Sequence, residues 1–291
     1  MPVSPFALDQ DRAYAHWRDT KLATAPTSLD ELLVEIGDPR QPTDAELDAI
    51  RARCRRANLT IYASNCGDDP DKAIPARLGA ALGLTRLDQN PGADEDAITA
   101  IRVQTDPRHL DFIPYTTRPL DWHTDGYYNP PERQVRSVLL HCVQPALEGG
   151  ANALLDHELV YIQLRDRNPD YVHALMQPDC MTIPASQIDG VQVRPSQSGP
   201  VFSVQSDGSL HMRFTNRSRH IQWRADALTT EAVDCLKELL RQASPWHLSG
   251  RLESGWGLVC NNVLHTRTGF TDGPRPRLVY RARYYDRIAG S

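Results

Sequence analysis

The feature that most constrains the fold of this 291-residue chain is a series of short, β-prone segments that begins near residue 99 and continues almost to the last residue. Turn-forming residues such as Gly149-Gly150 and Asp207-Gly208 separate the segments. We predict strands at 101–103, 111–114, 135–143, 151–155, 202–204, 210–214, 257–263 and 278–284. Many short strands with few helices indicate a mainly β fold, a sandwich or barrel that carries helical decoration.

The N-terminal third has a helical pattern instead. Thr43 and Glu46 have the spacing of a capping box, and apolar residues follow at helical spacing, which predicts a helix over about 44–57. Further predicted elements are a strand at 59–62 and helices over 72–84, after 168–169 and from about 229. We find no linker in the sequence, so we expect a single domain, 1–291, whose helical part at 1–98 packs on the outside of a core at 99–291.

Composition argues against several classes of protein. With 32 Lys and Arg against 37 Asp and Glu, the net charge of −5 gives no reason to expect binding to nucleic acid or to a membrane. No apolar run approaches the roughly 18 residues that a membrane helix needs, and the first residues lack the layout of a secretory signal. The six cysteines form no C-x-x-C pair and fit reduced thiols. We therefore expect a cytoplasmic protein, with helical surface available for a homo-oligomer.

Two distant segments carry the residues of a candidate metal site. His123 and Asp125 are two residues apart, so on an extended strand their side chains leave the same face. This pair alone is a weak signal, because His-x-Asp is frequent by chance. The hydrophobic segment 257–265 ends in His265, which supplies a third ligand if alternate residues of one strand face inward. Two histidines and one carboxylate on one face of a metal are the facial triad of non-haem Fe(II) oxygenases.

Several arginines follow this segment, and Arg277 lies 12 residues after His265. Strand alternation places Arg277, Arg281 and Arg283 on one face, with Leu278, Tyr280 and Tyr284 on the other. We interpret Arg283 as part of a solvated rim. An inward Arg277 needs an anion, and its planar fork matches a carboxylate. Arg275 is a rival for that role, because spacing alone permits it.

At this point the sequence resembles the Fe(II)- and 2-oxoglutarate-dependent dioxygenases of the taurine dioxygenase (TauD/TfdA) family, among which we include gamma-butyrobetaine hydroxylase. The resemblance runs from about residue 99 to the end and is strongest in WHTDGYYNPP (122–131), LLHCVQPALEGGANALLDH (139–157), NNVLHTRTGF (261–270) and RLVYRARYYD (277–286). It implies a double-stranded β-helix, or jelly-roll, core.

The same resemblance implies roles for individual residues. His123, Asp125 and His265 match the iron ligands, and Arg277 matches the arginine that binds the distal carboxylate of 2-oxoglutarate. Asn152 stands where the family often has a threonine that assists this contact. In a separate match, Arg281 corresponds to a second arginine that in relatives contacts the iron-proximal carboxylate or an anionic substrate group.

The implied function is the hydroxylation of an unactivated C–H bond of a small molecule, with Fe(II), 2-oxoglutarate and O₂ as cofactors and release of succinate and CO₂. Asp125 favours an oxygenase outcome, because related halogenases lack this carboxylate. We expect the substrate to be a small organic acid, amino acid, sulfonate or betaine. Candidate substrate-binding residues are Tyr115, Trp122, Tyr127, Tyr128, Asn216 and Arg281. For the aromatic residues, ordinary packing in the barrel is the alternative.

Two other classes of function stay open at this point. In the first, a jelly-roll metalloprotein holds another divalent metal, such as zinc or nickel, and acts as a hydrolase, isomerase or sensor without turning over 2-oxoglutarate. In the second, the fold serves as a non-catalytic binding domain. Arg277 distinguishes the readings, because an inward arginine has no purpose without a 2-oxo acid.

Overall fold

The computed structural model describes residues 4–89, 94–104, 112–188, 191–217 and 221–291. The α-helices of these residues are α1 (Asp11–Thr24), α2 (Asp44–Ala57), α3 (Ala73–Ala81), α4 (His157–Arg167), α5 (Pro169–Leu175) and α6 (Ala227–Arg241). Their strands are β1 (Leu33–Ile36), β2 (Leu59–Ser64), β3 (Thr99–Ile101), β4 (Leu120–His123), β5 (Ser137–Gln144), β6 (Glu148–Gly149), β7 (Asn152–Leu155), β8 (Met181–Ile183), β9 (Ser186–Ile188), β10 (Val191–Arg194), β11 (Gln197–Gly199), β12 (Phe202–Val204), β13 (Leu210–Met212), β14 (Gln222–Trp223), β15 (Leu248–Gly250), β16 (Trp256–Cys260), β17 (Leu264–Arg267), β18 (Phe270–Thr271) and β19 (Leu278–Tyr284).

Two larger sheets organise the β-structure. One has the strand order β1-β2-β16-β5-β19-β3 and the other has the order β15-β7-β17-β4. Neighbouring strands of the six-stranded sheet are antiparallel except for β1 and β2, which run parallel from Leu33 opposite Ile61 to Ile36 opposite Ser64. Helices on the outside of antiparallel sheets with non-sequential strand order fit the predicted jelly-roll core, and the mainly β fold class is confirmed.

Internal contacts divide the chain into two compact units. The sheet unit comprises Pro26–Asp121, Val135–Leu154 and Pro245–Ser291, and the helical unit comprises Met1–Ala25, Trp122–Gln134 and Leu155–Ser244. The predictions of a single domain and of a helical part at 1–98 on a core at 99–291 stay predictions.

The sheet unit has a hydrophobic cluster on each face of its six-stranded sheet. On one face, Leu140 of β5 and Leu258 of β16 pack in a cluster with Leu154 and Leu248 of the four-stranded sheet. On the other face, residues of α2 and α3 pack in a cluster with Leu139 of β5, the neighbour of Leu140 in the chain. Adjacent residues of β5 therefore serve opposite clusters, as the two-residue period of a strand requires.

The helical unit contains α1, α4, α5 and α6. Its N-terminal helix is held by a buried ion pair network, in which Lys21 Nζ lies 2.6 Å from an Asp156 oxygen and 2.5 Å from a Glu158 oxygen. Asp156 also caps α4 by accepting a hydrogen bond from the backbone N–H of Glu158. Helix α6 begins after Asp226, whose side chain accepts from the backbone N–H of Thr229, so the predicted start near 229 is confirmed within three residues.

Most predicted elements of the N-terminal third are confirmed. The helix predicted over 44–57 is α2, and both bonds of the capping box between Thr43 and Glu46 are present. The helix predicted over 72–84 is the shorter α3, which ends before Gly83 adopts a φ of +82°. The strand predicted at 59–62 is β2, but β1 and the helix α1 were not predicted.

One predicted strand is wrong. Where we expected a strand at 111–114, the structure has a 3₁₀ turn at Ile113–Tyr115, and residue 111 lies outside the described residues. Pro114 has no backbone N–H to give to a ladder, which explains why this β-prone segment does not join a sheet. No helix in the described parts of the chain is long and apolar enough to cross a membrane.

Candidate metal centre

The His-x-Asp segment lies at the end of β4, where Thr124 holds the chain as it leaves the strand. The backbone N–H of Thr124 donates to Phe214 O at 2.9 Å, and its hydroxyl oxygen accepts from Phe214 N at 3.0 Å. His123 forms a β-bridge with Thr215 directly beside this pair. Gly126 then takes a φ of +68°, which turns the chain away immediately after Asp125. The carboxylate thus lies between a hydrogen-bonded Thr124 on one side and a turn at Gly126 on the other.

His265 does not lie on the strand that we predicted for it. We expected one strand over 257–265, but β16 ends at Cys260 and a new strand, β17, begins at Leu264 in the other large sheet. Asn262 in the connection has a φ of +52°, a left-handed conformation that asparagine tolerates, and its Nδ2 donates to Val135 O at 2.6 Å. The predicted shared face along a single strand is therefore wrong, because the chain changes sheets at this turn.

The structure nevertheless brings the three predicted ligands together. His123, Asp125 and His265 are all buried, and their ligand atoms all lie within 4.8 Å of one another. His123 Nε2 is 3.8 Å from an Asp125 oxygen. His265 Nδ1 lies 2.9 Å from Val263 O, so this nitrogen carries the proton and donates it to the carbonyl. The basic lone pair of the His265 ring is then at Nε2, as in metal-binding histidines that are oriented by a backbone carbonyl.

A second feature is the buried guanidinium of Arg277. Only 7% of this residue is exposed, and Nη1 has no hydrogen-bond partner among the described residues. Its backbone N–H donates to Asp272 at 2.8 Å, and its Cζ lies 5.3 Å from the centre of the Phe270 ring. Burial lowers the pKa of Arg277, while Cys142 and Asp272 oppose that shift. A desolvated cation of this kind provides a site for an anion from outside the chain.

The other arginines predicted near this position differ from Arg277. Arg275 is exposed and lies 2.5 Å from Asp68, which is also exposed. Arg281 is half-buried. Arg283, which we interpreted as part of a solvated rim, is only 2% exposed and forms an ion pair with the buried Asp88, so that interpretation is wrong. Arg283 is buried because its strand packs against the segment that carries Asp88, whose backbone N–H donates to Arg283 O.

Asn152 and the aromatic candidates occupy several environments. Asn152 Nδ2 donates to Thr266 O at 2.8 Å on the neighbouring strand β17. Trp122 precedes His123 on β4, and its indole N–H donates to Leu240 O of α6 at 3.1 Å, while its predicted role at the substrate stays a prediction. Tyr115 is buried, and Asn216 gives its backbone N–H to Trp122 O.

The two tyrosines after the metal segment form an aromatic pair. Tyr127 and Tyr128 are half-buried, with ring centres 5.2 Å apart and planes at 80°. The guanidinium of Arg194 lies 5.7 Å from the centre of the Tyr128 ring. Its Nη atoms donate to Pro195 O and Pro184 O, and no carboxylate in the described residues pairs with it.

The comparison with known sequences places the chain in a family. The sequence profile of the taurine catabolism dioxygenase TauD, TfdA family matches residues 39–283. The chain belongs to this family. This match is wider than the resemblance that we found in the sequence, because it includes α2, β2 and α3 on the N-terminal side of residue 99.

Two curated relatives of this TauD-family chain are uridine-5'-phosphate dioxygenases. The protein from Amycolatopsis sp is 30% identical over 182 residues, which are 61% of this chain and 64% of that protein. The protein from Streptomyces sp is 31% identical over 195 residues, which are 65% of this chain and 69% of that protein. The match thus spans about two thirds of either relative.

Solved structures share the fold at low sequence identity. An asparagine oxygenase in complex with Fe(II), 3-hydroxyasparagine and succinate has a TM-score of 0.54 and 15% identity, covering 87% of this chain and 93% of its own. The non-heme iron oxygenase OrfP, in complex with Fe and alpha-ketoglutaric acid, has a TM-score of 0.59 and 15% identity, covering 84% and 81%. The predicted enzyme class and the cofactors Fe(II), 2-oxoglutarate and O₂ are confirmed at the level of the TauD family. The predicted relation to gamma-butyrobetaine hydroxylase stays a prediction.

Sequence reasoning missed two residues beside Arg277. Arg267 is buried and donates to three backbone carbonyls, and Phe270 contacts both Arg267 and Arg277. A signal for Arg267 was present, because it follows His265 by two residues and so leaves the same face of β17. Phe270 gave no comparable signal, because its position depends on the short pairing of β18 with β6.

Proposed function

We propose that this TauD-family protein oxygenates a small anionic molecule with Fe(II) and 2-oxoglutarate, and that His123, Asp125 and His265 hold the iron. The observation that carries the proposal is the convergence of these three buried side chains, whose ligand atoms lie within 4.8 Å of one another. Fe(II) accepts imidazole and carboxylate ligands together, whereas Ca²⁺ and Mg²⁺ prefer sets of oxygen ligands. The donor set therefore fits the iron that the family implies.

The environment of Arg277 supports a role for this residue in binding the cosubstrate. Its buried Nη1 has no partner among the described residues, and a carboxylate would accept from this atom. Gly150 lies beside the same guanidinium, and its φ of +72° is a backbone conformation that favours glycine. We assign Asn152 and Arg281 as further contacts of the cosubstrate. Arg275 is not assigned, because its guanidinium is engaged by Asp68 at the surface.

In the reaction, the side chains of this protein orient the metal and the cosubstrate and exclude water from the site. When bound, Fe(II) supplies the activation of O₂ that couples conversion of 2-oxoglutarate to succinate and CO₂ with oxidation of the substrate C–H bond. The bond from His265 Nδ1 to Val263 O fixes the orientation of the ring that holds the metal. Arg277 holds the distal carboxylate and so sets the direction in which the 2-oxo group points. Burial of all three ligands keeps bulk water from the reacting atoms.

The substrate that we propose carries a negative charge. Tyr127 and Tyr128 follow Asp125 closely in the chain and form an aromatic pair, and the Arg194 guanidinium lies 5.7 Å from the centre of the Tyr128 ring. The uridine-5'-phosphate dioxygenases among the relatives act on a molecule with a phosphate and a planar base. We therefore add phosphate esters to the organic acids, amino acids, sulfonates and betaines that the sequence led us to expect, and uridine 5'-phosphate is the first compound to test.

Substrate-dependent formation of succinate under air, with Fe(II) and ascorbate, tests the proposal. We expect anionic compounds to stimulate it and uridine, which lacks the phosphate, to stimulate it less than uridine 5'-phosphate. Calorimetric titration with Mn(II) checks the ligands without turnover, and D125A and H265A should each abolish tight binding. H173A, which removes an exposed histidine of α5, is the matched control and should bind the metal normally. Metal binding without binding of 2-oxoglutarate would instead support the hydrolase, isomerase or sensor reading.

A further inference from the structure

Arg267 of β17 is a buried cation whose hydrogen bonds go to the main chain. Nη1 donates to Pro114 O at 3.2 Å, and Nη2 donates to Thr116 O at 2.8 Å and to Arg118 O at 2.6 Å. The residue is 5% exposed, and no carboxylate in the described ranges pairs with it. One guanidinium thus ties together alternate carbonyls of the segment that leads into β4.

The same guanidinium belongs to the surroundings of Arg277. The Cζ atoms of Arg267 and Arg277 lie 4.8 and 5.3 Å from the centre of one ring, that of Phe270. The backbone of Phe270 donates to Thr117 O at 3.1 Å, so the ring is fixed to the segment that Arg267 holds. Gly150 lies next to both Phe270 and Arg277. A Cβ built on this glycine would be 3.7 Å from Phe270 Cβ and 3.8 Å from Arg277 Nε.

Two buried guanidiniums beside one ring carry an electrostatic cost. Arg267 and Arg277 are 5% and 7% exposed, so little water screens the repulsion between their charges. Carbonyl dipoles compensate the charge of Arg267 in part, but Arg277 receives no comparable set of bonds. A ligand with a carboxylate at this point would reduce the repulsion between the two cations, whereas a ligand that ends in a methyl group would leave it unchanged.

We infer that Arg267 is a positioning residue that makes the cosubstrate site selective for a 2-oxo acid with a second, distal carboxylate. It holds Phe270 and the 114–118 segment so that the Arg277 guanidinium is preset, and it adds positive charge behind that guanidinium. This inference rests on the proposed function. It concerns the affinity for the cosubstrate and not the identity of the primary substrate. Arg267 acts through Arg277 and does not itself touch the 2-oxo acid.

Calorimetric titration of Mn(II)-loaded protein with two 2-oxo acids tests this inference. 2-Oxoglutarate has the distal carboxylate and 2-oxobutyrate lacks it. R267K and R267M should weaken binding of 2-oxoglutarate about tenfold, an effect typical of coupled neighbours. Binding of 2-oxobutyrate should change less than about twofold. Equal loss for both acids, or no loss for 2-oxoglutarate, would overturn the inference.

A double-mutant cycle tests whether Arg267 acts through Arg277. If it does, R267M should weaken 2-oxoglutarate binding strongly in the wild-type background and little in the R277M background. Independent, additive losses would contradict the inference. R165K is the control, because Arg165 is also buried, donates to the carbonyls of Pro5 and Ala7 and lies 3.9 Å from the centre of an aromatic ring; it differs from Arg267 in a further contact with Asp11 at 3.4 Å. This variant should bind both acids normally.

A measurement on the wild-type protein covers the case in which the Arg267 variants do not fold. Backbone amides of 112–118 should exchange with deuterium more slowly when 2-oxoglutarate is bound than when 2-oxobutyrate is bound. The same protection from both acids would overturn the inference. Failure of Mn(II)-loaded wild-type protein to bind 2-oxoglutarate at all is a different result, because it would contradict the proposed function itself.

Discussion

The two ends of strand β19 place an arginine in the interior in opposite ways. At its C-terminal end, Arg283 is 2% exposed and forms an ion pair with Asp88, which also accepts a hydrogen bond from the Tyr285 hydroxyl at 2.7 Å. Just before its N-terminal end, Arg277 is 7% exposed, and its Nη1 has no partner within the described residues. Arg283 therefore has its counter-ion in the chain, whereas Arg277, six residues earlier, has no carboxylate paired with its guanidinium among the described residues.

The difference shows that the partner of a buried basic side chain indicates whether it serves the fold or a ligand. A buried charge that is compensated by an internal carboxylate stabilises the fold only when both partners are present. A buried charge without such a carboxylate is a cost to the fold that a ligand can offset. His141 of β5, opposite Tyr280 of β19, shows a third solution, because burial lowers its pKa to about 4 and the ring stays neutral.

The largest effect that we expect from this comparison is the loss of stability in R283M. Removing the guanidinium leaves Asp88 buried without its counter-ion, which should lower the free energy of unfolding by about 3–5 kcal/mol. Urea unfolding followed by circular dichroism measures the change. The double variant R283M/D88L should recover much of the loss, because it replaces the whole pair by apolar groups. A single variant as stable as the wild type would remove the distinction between the two ends of β19.

Sequence reasoning predicted one end of this strand and misjudged the other. The spacing from His265 indicated Arg277, because the family motif keeps the distance between the ligand and the arginine. The alternation that placed Arg283 on the same face could not indicate Asp88, which lies 195 residues earlier in the chain. Counter-ions that come from distant segments depend on packing, and the local pattern of a strand contains no information about them.

The next effect is the loss of 2-oxoglutarate binding in R277M. Truncating one partner of a buried charge pair between protein and ligand costs about 2–5 kcal/mol, so affinity should fall at least about 30-fold. Titration of the Mn(II)-loaded protein measures it. Without ligand, R277M should be as stable as the wild type or more stable, the opposite of R283M, because a desolvated cation has been removed. A loss of stability as large as that of R283M would show that Arg277 has an internal counter-ion after all.

The third effect concerns His141 and pH. Its pKa is lowered to about 4 from an ordinary 6.5, so the unfolded chain binds a proton as the pH falls through about 6.5 and the folded chain does not. Stability that is present at neutral pH is therefore lost as the pH falls from about 6.5 toward about 4. Between about pH 7 and about pH 5 the loss should be about 2 kcal/mol.

Urea unfolding at both pH values measures this contribution as the difference between the wild type and H141Q. The glutamine can keep a hydrogen bond to the Tyr62 hydroxyl, which lies 3.0 Å from His141 Nδ1, and it cannot titrate. H173Q controls for the loss of one exposed histidine, and its free energy of unfolding should change with pH as much as that of the wild type. If the free energy of unfolding of H141Q also changes with pH as much as that of the wild type, His141 is not the neutral buried base that the comparison requires.

The candidate metal centre shows the same balance between local and distant information. His-x-Asp on β4 could be recognised because both residues lie within one short segment. The route to His265 was predicted wrongly, since β16 and β17 belong to different sheets and Asn262 turns the chain between them. His265 itself was predicted because it ends the hydrophobic segment 257–265, and the resemblance to the family indicated the same residue.

The smallest effect that we expect is that of R275A, which makes it the sharpest test of where the cosubstrate binds. Arg275 and Asp68 are both more than half exposed, and an ion pair of this kind contributes little to stability. R275A should therefore match the wild type in unfolding and in affinity for 2-oxoglutarate, while R277M loses that affinity. Titrating both variants side by side under identical salt controls for the loss of one positive charge. Weaker binding in R275A than in R277M would move the carboxylate site to the surface and would leave the burial of Arg277 unexplained.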